Sequence, residues 1–324
     1  MKTNLIIGAG QLGSRHLQGL LKIKEAQVIF VLDPSEESLK IAKDRSIEIA
    51  HQTELYFIQS WDNLPIVFDL VIVATGANVR AVVVTKLLEN YKVKNLILEK
   101  ILFQDLQSYK NIETLLAQTK TPTWVNHPRR MAPYYQKIKE IIAVSNEQVV
   151  FQLVGSNWGL ACSALHFIDL CAFITDSEVK KMDMDWVDDV VHESKRMNCI
   201  EFTGSIKGTM KNKSNFIISS LNGEIGDITI FISTNSHRWI IQEGRAQQII
   251  YLSKQNAFNK EIIHFETEFQ STLTTRIAND IFESGKCDLP TFEAASASHI
   301  PFIEASLKKY TQITGIETTI CPIT

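Results

Sequence analysis

The sequence predicts an α/β fold in two parts: a doubly wound parallel sheet at the N-terminal end, then an α/β domain with a large, mostly antiparallel open sheet. Three observations carry that reading. Short apolar runs alternate with helical stretches over residues 1–121, a glycine-rich turn follows the first of those runs, and beyond Thr123 closely spaced alternating segments follow one another with Gly, Asn and Ser between them. A proline-containing turn at Thr121-Pro122 marks the expected boundary, dividing the chain into 1–121 and 122–324.

The first apolar run (Leu5, Ile6, Ile7) enters Gly8-Ala9-Gly10-Gln11-Leu12-Gly13, and a second run, Val28 to Leu32, ends at Asp33. In this order the spacing is that of a dinucleotide-binding Rossmann turn. Gly8 allows the tight turn, Gly10 lets backbone amides approach a diphosphate, and Gly13 lets the following helix pack on the sheet. The phosphates then sit at a helix N-terminus, where free N–H groups and the helix dipole favour an anion. Asp33, twenty residues after Gly13, is placed to accept hydrogen bonds from the adenosine ribose and to repel a 2′-phosphate, which points to NAD(H). NADP(H) stays an alternative, because Ser35 could hydrogen-bond a phosphate.

Val67 to Ala74 and Val93 to Leu98 read as further buried strands, with helices over 78–90 and 104–118. Ligands of such sheets bind at the carboxyl ends of the strands, where Ala74-Thr75-Gly76 and Glu99-Lys100 fall. In the second part the sequence predicts helices over 133–144, 161–174, 272–284 and 292–313. Strands are expected at 148–155, 198–206, 215–220, 227–234, 239–243, 248–252 and 261–266. Ile300, Ile303, Leu307 and Tyr310 stand at helical spacing as the apolar face of the last helix.

Composition limits the partners. Of 324 residues 45% are hydrophobic and 21% charged, and 33 basic against 36 acidic side chains leave a formal charge of −3 without a long single-sign block. Nothing in that balance recruits nucleic acid or a membrane surface, so a small molecule is the expected partner. Five scattered cysteines with no C-x-x-C pair argue against a disulfide framework and a structural zinc site, and no metal is expected. With no signal-peptide pattern at Met1-Lys2 and no bilayer-length apolar run, the expected location is the cytoplasm.

Two residue groups suggest chemistry. Lys100, ending a buried strand at the cofactor edge, can donate to a substrate oxygen. Cys162, His166 and Asp169 share a helix face after Asn157-Trp158-Gly159, with His166 suited to proton transfer and Asp169 expected to fix its tautomer.

Over essentially its whole length the chain resembles the Gfo/Idh/MocA group of nicotinamide-dependent oxidoreductases. The resemblance rests on Gly8 to Gly13 followed by His16, on Ala74-Thr75, and on Glu99-Lys100 where the family has Glu-Lys-Pro. It also rests on Trp124 to Arg130 with Pro133-Tyr134, on Leu165-His166-Phe167-Ile168-Asp169-Leu170, and on Thr314-Gly315 before an expected last strand. It implies hydride transfer between nicotinamide and a carbinol or carbonyl carbon of a sugar, sugar acid or nucleotide-linked sugar, with Lys100 and His166 catalytic. Cofactor contacts are then expected from Gly8, Gly10, Gln11, Leu12, Gly13, Asp33, Ala74, Thr75, Asn78, Glu99 and Lys100, and substrate contacts from Asn126, Arg130, Asn157, Cys162 and Asp169. A homodimer or homotetramer through the C-terminal sheet is implied as well.

Departures from the family pattern carry their own expectations. Ile101 stands where the family has proline, so no cis peptide is expected after Lys100. Gly76 and Arg80 replace a proline and a histidine, and Cys162 stands where polyol-oxidising members carry aspartate. Arg80, His127, Arg129 and Arg130 are candidates for recognising an anionic substrate. The alternatives are a cofactor-binding sensor or scaffold without turnover and, more remotely, a reaction that recycles NAD.

Overall fold

The computed structural model describes residues 1–324, which form two compact units. The first comprises Met1–Phe103, Gln107–Pro128 and Glu268–Glu293; the second comprises Gln104–Leu106, Arg129–Thr267 and Ala294–Thr324. The chain therefore does not divide at a single cut near residue 121.

In the first unit β1 (Lys2–Ile7), β2 (Gln27–Leu32), β3 (Glu54–Ile58), β5 (Leu70–Val73), β7 (Leu96–Leu98) and β8 (Thr123–Val125) form one parallel sheet in the order β3-β2-β1-β5-β7-β8. Two-residue strands β4 (Val67–Phe68) and β6 (Lys92–Val93) pair beside it. Leu5, Ile6, Ile29, Val31 and all of β5 are buried, as a sheet covered on both faces requires. The strand order reverses direction at β1, and the gap between β1 and β5 is the switch point at which Gly8 and Ala74 emerge together. Helices α1 (Gly13–Leu21), α2 (Glu36–Ile47), α3 (Ala77–Asn90) and α4 (Leu106–Thr119) connect the strands. A helix from far along the chain, α7 (Gln270–Ser284), packs on α1, where Thr275 Oγ1 donates to Gly19 O at 2.7 Å.

The second unit is built on an eight-stranded sheet. Its strands are β9 (Val150–Ser156), β10 (Val179–Val187), β13 (Gly204–Met210), β14 (Asn215–Leu221), β15 (Thr229–Ser233), β16 (His237–Gln242), β17 (Gln248–Ser253) and β18 (Glu261–His264). In the order β10-β13-β14-β9-β15-β16-β17-β18, every neighbouring pair is antiparallel except β9 with β14. Burial alternates strictly along β9, so one face looks inward and the other outward. A short hairpin joins β11 (His192–Glu193) to β12 (Ile200–Glu201). The helices are α5 (Pro133–Ser145), opened by a proline at its first position, and α6 (Leu160–Thr175), with α8 (Phe292–Thr314) entering the unit at Ala294.

Three sequence expectations change. The strand expected over 198–206 is two strands interrupted at Phe202-Thr203, where Gly204 takes φ +98°. No strand follows Gly315: Pro322 lacks an amide donor, and its neighbours are pinned as coil by Cys321 N to Gln104 O and Gln104 Nε2 to Ile323 O, both 2.8 Å. On α8, only Ile303 of the four expected apolar positions is fully buried; Phe302, His299 and Ser306 complete the inward stripe.

Candidate cofactor turn and polar cavity

The glycine turn is set by contacts that only glycine permits. Gly8 has φ +96°, and a Cβ there would lie 2.8 Å from Ala74 C; a Cβ on Gly13 would lie 1.8 Å from Gly8 O. At Gly10 the same Cβ would meet nothing within 4 Å, so open space lies beside the turn. No side chain caps α1, and while Ser14 N is taken by Gly10 O, no side chain occupies the amides just before it. Asp33 Oδ2 accepts from Ala9 N at 2.7 Å and Oδ1 from Ser35 N at 2.8 Å, fixing the carboxylate at the turn's edge. At the end of β5, the hydroxyl of Thr75 is buried without a hydrogen-bond partner, and Asn78 folds back towards Gly76. An anion-ready helix end, a fixed carboxylate, empty space and an orphaned hydroxyl along one edge fit a dinucleotide.

Glu99 lies behind this edge. Its carboxylate is buried and accepts from His16 Nε2 (2.9 Å) and Asn126 Nδ2 (2.5 Å), both on Oε1. On its other side His16 Nδ1 lies 2.9 Å from Thr274 Oγ1, which is also 2.8 Å from Gln270 O. Burial opposes ionisation of Glu99, but the His16 bond and charge, the Asn126 amide and the Arg80 charge outweigh it and hold the carboxyl below its usual range. Glu99 and Asn126 are thus tied together in a buried network, in which Asn126 Oδ1 keeps no partner. Lys100, next to Glu99, is half-buried at the end of β7.

The Lys100–Ile101 peptide is cis, contrary to the expectation drawn from the missing proline. Ring chemistry was the only basis for that expectation, whereas here Ile101, Leu102 and Phe103 are all buried and the Arg80 guanidinium holds the carbonyls of Ile101, Leu102 and Thr75. Arg80 is thus a buried backbone clamp, not an anion receptor, and His127 is buried as well.

In the second unit Arg130 Nη2 and Nε meet Asp169 Oδ1 and Oδ2 at 2.5 and 3.0 Å, a two-pronged pair. Asp169 is therefore the partner of Arg130 on both carboxylate oxygens. Burial dominates its acidity and Arg130 only partly offsets it, so the carboxyl lies above its usual range. Arg129 is taken up by Glu243 at 3.1 Å and lies over the Phe167 ring, with its charge centre 4.1 Å from the centroid. Tyr135 and Tyr134 donate to the same Glu243 at 2.7 and 3.3 Å.

At the N-terminus of α6, the Glu201 carboxylate accepts from Ala161 N (2.8 Å) and Cys162 N (3.1 Å). It forms part of the wall of a cavity of about 760 Å³ that also includes Asn157, Cys162, Ser163, His192, Thr203 and Asn222. Thr203 donates to Asp188 Oδ2 (2.7 Å) and so accepts His192 Nε2–H (3.1 Å), which fixes the tautomer of that imidazole. His166 lies one turn beyond Cys162 on α6, half-buried. Of the expected substrate residues, Asn157 and Cys162 come together at this cavity. Glu201 and His192 were missed, because no local pattern links positions 192 and 201 to a helix starting at 160.

A family model described as "Oxidoreductase family, NAD-binding Rossmann fold" (GFO_IDH_MocA) matches residues 2–127. The match covers about the first 39% of the chain, which resembles that family's NAD-binding half. Solved structures extend the likeness in fold to nearly the whole chain. A putative NADPH-dependent oxidoreductase from Desulfitobacterium hafniense is 13% identical with a TM-score of 0.74, over 97% of this chain and 96% of that one. The UDP-N-acetylglucosamine 3-dehydrogenase GnnA from Acidithiobacillus ferrooxidans is 12% identical with a TM-score of 0.71, over 94% and 96%. A super-repressor mutant of Gal80p from Saccharomyces cerevisiae is 16% identical with a TM-score of 0.73, over 96% of each chain. No curated protein matches at the sequence level. The matched range contains the glycine turn, Asp33, Thr75 and Glu99-Lys100. No helix is long and apolar enough to cross a membrane.

Proposed function

We propose that the chain is an NAD(H)-dependent oxidoreductase acting at a carbinol or carbonyl carbon of a sugar or sugar derivative. The observation that carries this reading is the uncapped, open glycine turn edged by a fixed Asp33 carboxylate and followed along the same sheet edge by Lys100. The nicotinamide coenzyme supplies or accepts the hydride. The residues of the chain hold and move protons: Lys100 donates to the reacting oxygen, and His166 takes or returns the hydroxyl proton. The cavity beside α6 supports a polyhydroxylated substrate, since Glu201, Asn157, Asn222 and His192 supply acceptors and donors in one concave surface. UDP-N-acetylglucosamine is a natural first probe, given the activity of GnnA.

NADH oxidation is to be followed with a panel of keto-sugars and uronates, and NAD reduction with UDP-N-acetylglucosamine. Lys100→Met should lower kcat/KM by about 100-fold or more while leaving NADH binding unchanged. Turnover that survives this change removes Lys100 from the mechanism. Likeness to Gal80p supports a second reading, a coenzyme-binding regulator; binding of NADH with no turnover across the panel favours it. The outward sheet face, where Val150, Val154 and Leu221 are exposed, supports assembly into a dimer or tetramer. Light scattering that returns the mass of one chain rejects that assembly.

A further inference from the structure

Arg45, in the last turn of α2, points at the glycine turn from outside the fingerprint. Its Nη1 donates to Gln11 O at 2.8 Å and to Ser14 Oγ at 2.6 Å, and its Nη2 donates to the Gln11 side-chain oxygen. Ser14 in turn donates its hydroxyl to Gly10 O at 2.8 Å, and Ser14 N donates to the same carbonyl at 3.0 Å. The carbonyls of Gly10 and Gln11 are thus both held, one directly by Arg45 and one through Ser14.

In a planar trans peptide the C=O and the following N–H point in opposite directions. Fastening Gly10 O and Gln11 O therefore aims Gln11 N–H and Leu12 N–H away from Arg45 and Ser14. These are the amides at the uncapped start of α1, where a dinucleotide's diphosphate is expected. Ser14 alone holds the Gly10 peptide, through its amide and hydroxyl, whereas the Gln11 peptide relies on Arg45, with only a long 3.3 Å contact from Ser14 Oγ beside it. The fork geometry matters, since one guanidinium engages three oxygens at once, which an ammonium cannot do with the same fixed directions.

We propose that Arg45 is a positioning residue for the coenzyme diphosphate: it sets the two turn amides in their binding orientation before the ligand arrives and adds a fixed positive charge behind them. The proposal rests on the reading of this turn as a nicotinamide dinucleotide site.

The test compares the unaltered chain with Arg45→Met and Arg45→Lys, using NADH and ADP-ribose by calorimetry and adenosine, which has no phosphate, by ligand-observed NMR. Circular dichroism and thermal melting confirm that each variant is folded. Arg45→Met should weaken NADH and ADP-ribose at least fivefold and adenosine less than twofold, and Arg45→Lys should recover only part of the loss. For a variant that does not fold, Gln11→Ala removes one of the three contacts and should give a smaller loss with the same ligand pattern. NADH affinity within twofold of the unaltered chain in folded Arg45→Met, or an equal loss for adenosine, overturns the proposal and leaves the coenzyme site standing. No NADH binding by the unaltered chain overturns both.

Discussion

Glu99 in the first unit and Asp169 in the second are both buried carboxylates facing a basic side chain, yet their acidities move in opposite directions. Burial is the largest influence at each and favours the neutral acid. At Glu99 it is overcome by His16, by the Asn126 amide and by the Arg80 charge; at Asp169 Arg130 stands alone and does not overcome it. The lesson is that the number of separate polar and charged groups around a buried carboxylate, more than the presence of one salt bridge, decides whether it is a fixed anion. The first unit builds its site around such an anion and a rigid turn. The second holds its helix by separate pairs.

Substitutions in the turn break this comparison most strongly. Gly13→Ala places a carbon against a backbone oxygen that cannot step aside, and should cost more than about 4 kcal/mol of stability in chemical denaturation. Gly10→Ala meets open space, so stability should stay within about 0.5 kcal/mol while NADH affinity falls at least tenfold, because the added methyl occupies the approach to the diphosphate. A Gly10 variant that binds NADH normally places the coenzyme elsewhere.

The two carboxylates come next. At neutral pH Glu99→Gln should cost about 3 kcal/mol, since it removes the buried charge that His16 and Arg80 face, and Asp169→Asn about 2 kcal/mol, since Arg130 keeps some contact with solvent. Their pH dependence should differ in sign. Glu99 binds its proton more weakly folded than unfolded, so its contribution is present above the ordinary carboxylate range and is lost as acid carries the pH down through its lowered value. Asp169 binds its proton more tightly folded, so its contribution is present in acid and lost as pH rises through its raised value. Denaturation midpoints across the acid range should therefore flatten for Glu99→Gln and not for Asp169→Asn. Equal flattening in both contradicts this difference between the two carboxylates.

The smallest effect concerns coenzyme choice. The Asp33 carboxylate, fixed by Ala9 N and Ser35 N, should make NADH bind at least tenfold tighter than NADPH, about 1.4 kcal/mol, and Asp33→Ala should erase most of that difference. Unchanged preference in the variant means that Ser35 or another group reads the ribose.

What the sequence makes legible follows from how local each signal is. Gly8, Gly10, Gly13 and Asp33 lie within one strand-helix-strand unit, and their roles follow from spacing alone. The partners of Glu99 are spread from His16 to Thr274, and those of α6 come from Arg130 and Glu201, so individual residues stand out in the sequence but not their pairings. The strands that escaped detection are edges. β3, β8 and β10 each end a sheet, and β10 carries Lys180, Lys181, Asp183 and Asp185 where an inner strand would be apolar. Charge on an edge strand discourages further pairing and also hides the strand from hydrophobic patterning.

The central claim is that this glycine turn binds a nicotinamide coenzyme. Calorimetric titration of NADH into the folded chain tests it directly: the account predicts one coenzyme bound per chain, with NADPH weaker. Heats of dilution alone for both coenzymes contradict it.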